Sequence, residues 1–336
     1  MNDNCLLPYE KRDPSFFIFK DAEGYYGKKP EERDIPELLK YGFINLDKPS
    51  GPTSHQVVSL IKHFLELKKA GHGGTLDPKV TGILPIALEK STKVIEYLLN
   101  AGKEYVAVMH LHKKTTLDKI MELEKKFVGE ILQMPPVRSA VKRRLRKRKI
   151  YYLKILEYDE ETKNVLFKVG TQAGTYIRTL CVQMGDYLGT KAHMLELRRT
   201  KAGSLSEKDN LVNMIDVKDS YYIWKKYGDE EYLRKTIIPV EKAINHLPKV
   251  ILDYTTISAV LYGASIRTPG IVKSQNFEKG EKVAIFSLKG ELIALGEALY
   301  SLNEIKQFFE NRDKREVIKT NKVLKERDYF PKLWKR

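Results

Sequence analysis

The sequence predicts an α+β fold in two parts: a mixed, largely antiparallel sheet carrying helices, followed by a compact β-barrel. Two observations carry this reading. Runs with period-2 apolar alternation are interleaved with runs of helical spacing over the first two thirds of the chain. After Lys249 only short apolar runs remain, at 266–272, 282–287 and 292–298, separated by Gly270, Gly280 and Gly290, which is the punctuation of a small barrel. With 336 residues the chain can bury a substantial core and has room for two domains.

The elements follow in order. Residues 1–40 are polar and charged, hold Pro8, Pro14, Pro30 and Pro36, and read as an N-terminal extension outside the core. Residues 42–46 form the first strand-like run. The stretch 45–55 then supplies a turn and a helix start, with Thr53 or Ser54 as N-cap ahead of Val57, Val58, Leu60 and Ile61. A second strand is predicted over 104–111, where Tyr105, Ala107, Met109 and Leu111 alternate, and a helix over 116–127. Residues 142–149 carry seven cations in eight positions. Strand-like 164–169 leads to 174–178 and a helix through Leu188; another strand spans 193–200, and 221–238 reads as a charged, aromatic helical region. Pro239 and Pro248 bracket a composition shift at His246, where the domain boundary is placed, giving 1–40, 41–246, 247–323 and a basic tail at 324–336; the chain after Asn311 is basic and is expected at the surface.

Lys and Arg number 60 against 44 Asp and Glu, a net charge of +16, so an extended polyanion such as nucleic acid is the natural partner. An anionic membrane surface is the rival. No apolar run approaches the ~20 residues a bilayer span requires, and the opening residues lack a signal core, so a soluble cytoplasmic protein is expected. Only Cys5 and Cys181 occur, far apart and outside any Cys/His cluster, which excludes a disulfide framework and a structural zinc site. A phosphate-cradling nucleotide site also fails, because Lys90-Ser91-Thr92 lacks the glycine frame of such a loop.

The segment 71–82 reads Gly-His-Gly-Gly-Thr-Leu-Asp-Pro-Lys-Val-Thr-Gly. Pro78 biases Asp77 toward extended or turn backbone, and the glycines let backbone approach a large ligand. Asp77 is then either a presented catalytic acid or the cap of a structural turn. The cation run, beside Tyr151 and Tyr152, is either a solvated loop or an RNA-backbone contact.

Taken together, several motifs resemble the pseudouridine synthases of the TruB family, above all the archaeal and eukaryotic dyskerin type of box H/ACA ribonucleoproteins. They are the 45–55 block, the 71–82 loop, Lys103-Glu104-Tyr105, Pro135-Pro136-Val137-Arg138-Ser139-Ala140-Val141-Lys142, residues 174–180, and Leu197-Arg198-Arg199. Ala259-Val260-Leu261-Tyr262-Gly263-Ala264 and Thr268-Pro269-Gly270-Ile271 resemble a PUA domain. The resemblance covers nearly the whole chain and implies a pseudouridine synthase domain plus a PUA-like barrel with which residues 1–40 associate. It implies isomerisation of uridine without a cofactor, with Asp77 as catalytic aspartate, Arg178 as its pairing arginine, and Tyr105 stacking on the base and helping to remove the ring proton. His72, Tyr176, Leu197 and Lys48 become substrate-pocket residues, with Pro49 shaping the floor, while Asp47 and His55 become local turn partners. Lys142, Arg143, Arg144, Arg146, Arg148, Gly263 and Gly270 become RNA contacts. The implied partners are guide RNA, ribosomal or transfer RNA, and three H/ACA proteins: a small zinc-ribbon-like one, a glycine-arginine type and a kink-turn-binding ribosomal type. Two alternatives stand beside this: guide-independent modification of the T-loop uridine of transfer RNA, and a non-catalytic RNA-binding scaffold. Leu111-His112-Lys113-Lys114 stands where many relatives have a glycine-acid turn.

Overall fold

In the computed structural model, which describes residues 5–136, 142 and 144–332, an eleven-stranded sheet forms the larger half. Its main path runs Leu211–Val212, Gly42–Lys48, Thr81–Leu88, Ala192–Ala202, Lys103–Leu111, Asn164–Thr171, Arg146–Asp159 and Gly129–Gln133. All neighbouring pairs on it are antiparallel except two. Leu211–Val212 runs parallel to Gly42–Lys48, and Thr81–Leu88 meets Ala192–Ala202 in parallel at Thr81/Arg198 and Gly82/Arg199 alone.

That short parallel contact joins two wings with separate cores. On one wing, Ala107, Met109, Leu111, Val165, Phe167 and Val169 alternate inward and meet Leu180 and Met184 of the Ile177–Tyr187 helix and Ile120 and Leu123 of the Leu117–Lys126 helix. On the other, Leu46, Leu84 and Ile86 meet Val57 and Ile61 of the Ser54–Phe64 helix and Val217 and Tyr221 of the Met214–Tyr227 helix. Gly82 sits at the seam with φ +97°, and a Cβ there would lie 2.3 Å from the Arg199 carbonyl oxygen, so only glycine lets the two strands approach. Thr53 is the N-cap of the Ser54–Phe64 helix, its hydroxyl accepting from the Gln56 amide at 3.1 Å.

The C-terminal sheet has seven strands, with Ile271–Ser274 near one end of the path and Ile266–Arg267 at the other. Those two strands are joined by the single turn Thr268–Gly270, so the sheet must curl until its ends meet. Phe17–Ile18 of the N-terminal segment adds to its edge by pairing with Lys273 and Ser274.

Four readings are corrected. The N-terminal segment is not all outside the core: the Ile35–Lys40 helix, capped by Asp34, buries Ile35, Leu38 and Leu39. The chain beyond Asn311 is no surface tail, because Glu316–Val323 pairs with Leu292–Ala298 and Val317, Ile318, Leu324 and Phe330 are buried. The 221–238 region is not continuous, since Gly228 adopts φ +74° and ends one helix before Glu231–Thr236 begins. The cations at 146–149 belong to a strand paired with Gly129–Gln133 rather than to a loop; Arg143 lies outside the described residues. The 111–114 segment is held by amide bonds from Leu111 to the Lys163 carbonyl and from His112 to the Lys191 carbonyl.

Candidate active site

Asp77 is held by clamps on both sides. Ser54 Oγ donates to the Leu76 carbonyl at 3.0 Å and accepts from the Leu76 amide at 2.9 Å. On the other side, Lys48 Nζ donates to the carbonyls of Pro49, Pro78 and Val80 at 2.8, 2.9 and 3.0 Å, and the Gly51 amide donates to Pro78 at 2.9 Å. The backbone around Asp77 is therefore fixed while its side chain stays free to project. Lys48 is fully buried, so the expected substrate contact gives way to an anchoring role beneath the loop. Burial lowers its proton affinity, and the nearby Asp77 charge opposes that shift.

Arg178, in the first turn of the Ile177–Tyr187 helix, places one guanidinium nitrogen 3.2 Å from the Asp77 carboxylate. The pair joins one wing to the other. It is not buried: the Arg178 and Asp77 side chains are 42% and 49% exposed, open to an incoming ligand. Both line a cleft of about 530 Å³ with Leu76, Val80, Lys103, Tyr105, Tyr176, Leu197 and Arg199, a volume within the usual range for small-ligand sites of ~300–1,000 Å³. The structure thus brings Asp77, Arg178, Tyr105, Tyr176 and Leu197 to one place. Tyr176 is positioned by Gln133, whose side-chain oxygen accepts from the Tyr176 amide at 2.9 Å.

The remaining expected residues lie elsewhere. His72 is not among the cleft-lining residues; it packs edge-on to His55 with ring centres 5.1 Å apart. Burial, then the His55 and Arg199 charges, hold its imidazole below the ordinary range and so neutral. His55 is therefore a ring partner of His72 rather than a turn partner. Asp47 is not local either: both its oxygens accept from Arg198 at 2.9 Å, across 151 positions of sequence. Arg148 donates to the Gly174 carbonyl at 2.9 Å on the cleft rim, whereas Lys142 and Arg144 are exposed. Gly263 is exposed at φ +92° with open space around it. Gly270 is buried, and a Cβ there would lie 2.3 Å from Thr256 Oγ1, so packing requires it and it is no surface for RNA.

Sequence reasoning missed the two buried cations of the cleft, Lys103 and Arg199. Lys103 Nζ donates to the carbonyls of Leu98, Leu99 and Ala101 at 2.9, 2.8 and 2.8 Å; burial, with the Arg199 charge, brings its proton affinity down to about 7. Arg199 is buried and donates to the Ile83 carbonyl at 2.7 Å and the Gly74 carbonyl at 3.0 Å. A usable signal was present, because consecutive strand residues face opposite ways: with Arg198 paired outward, Arg199 must point in.

A presented carboxylate, an arginine across the cleft and aromatic and aliphatic walls, on a strongly basic two-domain chain, fit the class of RNA-modifying enzymes. Residues 62–177 match the N-terminal domain of the TruB family of pseudouridylate synthases and residues 178–245 the C-terminal domain of tRNA pseudouridylate synthase B. Residues 21–58 match the DKCLD (NUC011) domain and 248–324 the PUA domain. The protein named "Probable tRNA pseudouridine synthase B" in Pyrococcus abyssi is 53% identical over 310 residues, 92% of this chain and 91% of its own. Its namesake in Methanopyrus kandleri is 52% identical over 98% of this chain and 96% of its own. Among solved structures, a chain of a Cbf5-Nop10-Gar1 complex superposes with TM-score 0.91 at 49% identity, covering 98% of this chain and 99% of that one. A chain of an H/ACA RNP bound to a substrate RNA containing 2'-deoxyuridine does so with TM-score 0.89 at 47% identity, covering 98% and 100%. The chain belongs to the TruB family and is an RNA pseudouridine synthase. Among the described residues no helix is long and apolar enough to cross a membrane.

Proposed function

We propose that this enzyme isomerises uridine in RNA under the direction of a guide RNA, as the catalytic subunit of a box H/ACA particle acting on ribosomal RNA. The observation that carries this is the convergence of Asp77, Arg178, Tyr105, Tyr176 and Leu197 on one open cleft in a chain whose whole length superposes on subunits of H/ACA complexes. Asp77 initiates cleavage of the glycosidic bond or attacks the ribose, and Arg178 holds its carboxylate in orientation. Tyr105 stacks on the freed uracil while it rotates, Tyr176 and Leu197 wall the pocket, and the Tyr105 hydroxyl assists removal of the proton from the ring carbon. The exposed cations Lys142, Arg144, Lys147 and Lys149 and the exposed Gly263 surface contact RNA phosphates, which position RNA without reading it, so sequence choice passes to guide pairing. The likeness to chains solved with Nop10 and Gar1 supports accessory proteins of those kinds as partners.

A second reading keeps the chemistry and changes the substrate. Relatives over half identical carry the name of a transfer-RNA enzyme, which supports guide-independent conversion of the T-loop uridine. The test uses a bare transfer RNA and a guide-paired target supplied with accessory proteins, with wild type and Asp77→Asn in parallel. Conversion of the guided target alone supports the particle subunit, and conversion of bare transfer RNA supports the second reading. Turnover by Asp77→Asn overturns the assignment of Asp77, and wild-type silence on both substrates leaves a scaffold.

A further inference from the structure

Arg199 is a fully buried guanidinium with no carboxylate within ion-pair range among the described residues. Burying such a charge is costly unless its donors are satisfied and something is gained from its position. Two of its donors fasten backbone at the catalytic cleft. Nε donates to the Ile83 carbonyl at 2.7 Å on the Thr81–Leu88 strand, and one terminal nitrogen donates to the Gly74 carbonyl at 3.0 Å, three residues before Asp77. Tyr105 of the Lys103–Leu111 strand is the register partner of Arg199 on the neighbouring strand, and both line the cleft. Gly74 is shaped to receive it: at φ +137°, a Cβ there would stand 3.3 Å from the guanidinium. The adjacent Lys103 ammonium adds a second cation without a carboxylate, bound only to carbonyls.

We propose that Arg199 is the positioning residue for Tyr105 in the final proton-removal step; the proposal rests on the pseudouridine reading above. A phenol oxygen has one donor and two lone-pair directions. With the guanidinium occupying one lone pair, rotation about the C–O bond is restricted, and the O–H and the other lone pair face the cleft. In the step itself the C5–H bond breaks and its electron pair returns to the ring. The Tyr105 oxygen takes the proton while its own hydroxyl proton leaves to solvent at the cleft mouth. The guanidinium stabilises the negative charge that develops on the oxygen as that proton departs. Because the same fork holds the Gly74 carbonyl, the Tyr105 oxygen and the Asp77 loop keep one register.

The test is single-turnover conversion of a target uridine carrying hydrogen or deuterium at C5, using wild type, Arg199→Lys, Tyr105→Phe and the double variant, with RNA affinity and thermal unfolding measured on each. Wild-type turnover is the control for the underlying reading; its absence refutes that reading rather than this one. With wild type active, Arg199→Lys should bind RNA with unchanged affinity, convert it about 100-fold more slowly, the lower end of what a positioned acid–base group contributes, and acquire a deuterium isotope effect. Adding Arg199→Lys to Tyr105→Phe should slow the enzyme no further. A loss of RNA affinity without an isotope effect, or additive slowing in the double variant, overturns the proposal. If Arg199→Lys does not fold, Arg199→Gln takes its place: an isotope effect with no further slowing in the Tyr105→Phe background supports the proposal, and a wild-type profile or additive slowing refutes it.

Discussion

Charges are buried in two regions of this molecule and neutralised in opposite ways. At the junction between the N-terminal segment, the catalytic half and the barrel, every buried cation meets an acid. Arg33 donates to both oxygens of Glu241 at 2.9 and 2.6 Å, Lys325 donates to Glu291 at 2.9 Å, and the Tyr329 hydroxyl bonds Glu291 at 2.6 Å and Glu37 at 3.1 Å. Under the cleft, Lys48, Lys103 and Arg199 meet backbone carbonyls instead. Carbonyls satisfy donors without cancelling charge, so the junction is electrically quiet while Arg199 keeps the cleft floor positive toward an anionic substrate, with Lys103 adding to it fully only below about pH 7. The first arrangement fixes domains; the second fixes a loop while keeping a field.

Three measurements would break or sharpen this contrast. The largest effect is expected at the junction. Glu291→Gln leaves Lys325 buried beside a neutral partner and should cost about 3–5 kcal/mol in urea unfolding; a loss under about 1 kcal/mol would mean that the apolar contacts around Phe286, Leu292 and Leu324 hold the domains unaided. Next is the pH response of the floor. Lys103 gives up its proton at about 7 in the folded protein, while in the unfolded chain it keeps the proton to about 10.4. Between those values the unfolded state binds the extra proton, so stability should rise with pH from 7 toward 10. Lys103→Met should lack that rise; parallel pH curves for the two proteins would show that Lys103 is not held as described. The smallest stability effect is expected at Arg178→Gln. This half-exposed pair should contribute no more than about 1 kcal/mol to folding, yet the change should strongly reduce turnover. A clear drop in Tm would move Arg178 from the reaction to the scaffold.

Local signals in the sequence located most catalytic elements. The 104–111 alternation became the Lys103–Leu111 strand, the 116–127 spacing became the Leu117–Lys126 helix, and the Thr53 cap is where the turn chemistry put it. Period and capping are set within a few residues, so they survive folding unchanged. The failures were contacts distant in sequence. Nothing local marks Glu316–Val323 as a strand, because its charged residues face outward and only its pairing with Leu292–Ala298 buries Val317 and Ile318. Proline and charge made residues 1–40 look detached, although Ile35 and Leu38 complete the core beneath the Gly42–Lys48 strand.

By itself the sequence determined the residue types that the proposed chemistry would use: a carboxylate before proline in a glycine-rich loop, an aromatic on a neighbouring strand, an arginine opening a helix, and a cationic surplus suited to RNA. Only the tertiary structure decided how open the carboxylate is, that Lys48 anchors rather than binds, and that Lys103 and Arg199 form the floor. The reason is physical. Which groups a side chain can carry is written in its identity, but its burial and its partners are not: the Asp77–Arg178 pair and the bonds from Arg199 to Ile83 and Gly74 join segments distant in sequence, which meet only when the two wings close at Gly82.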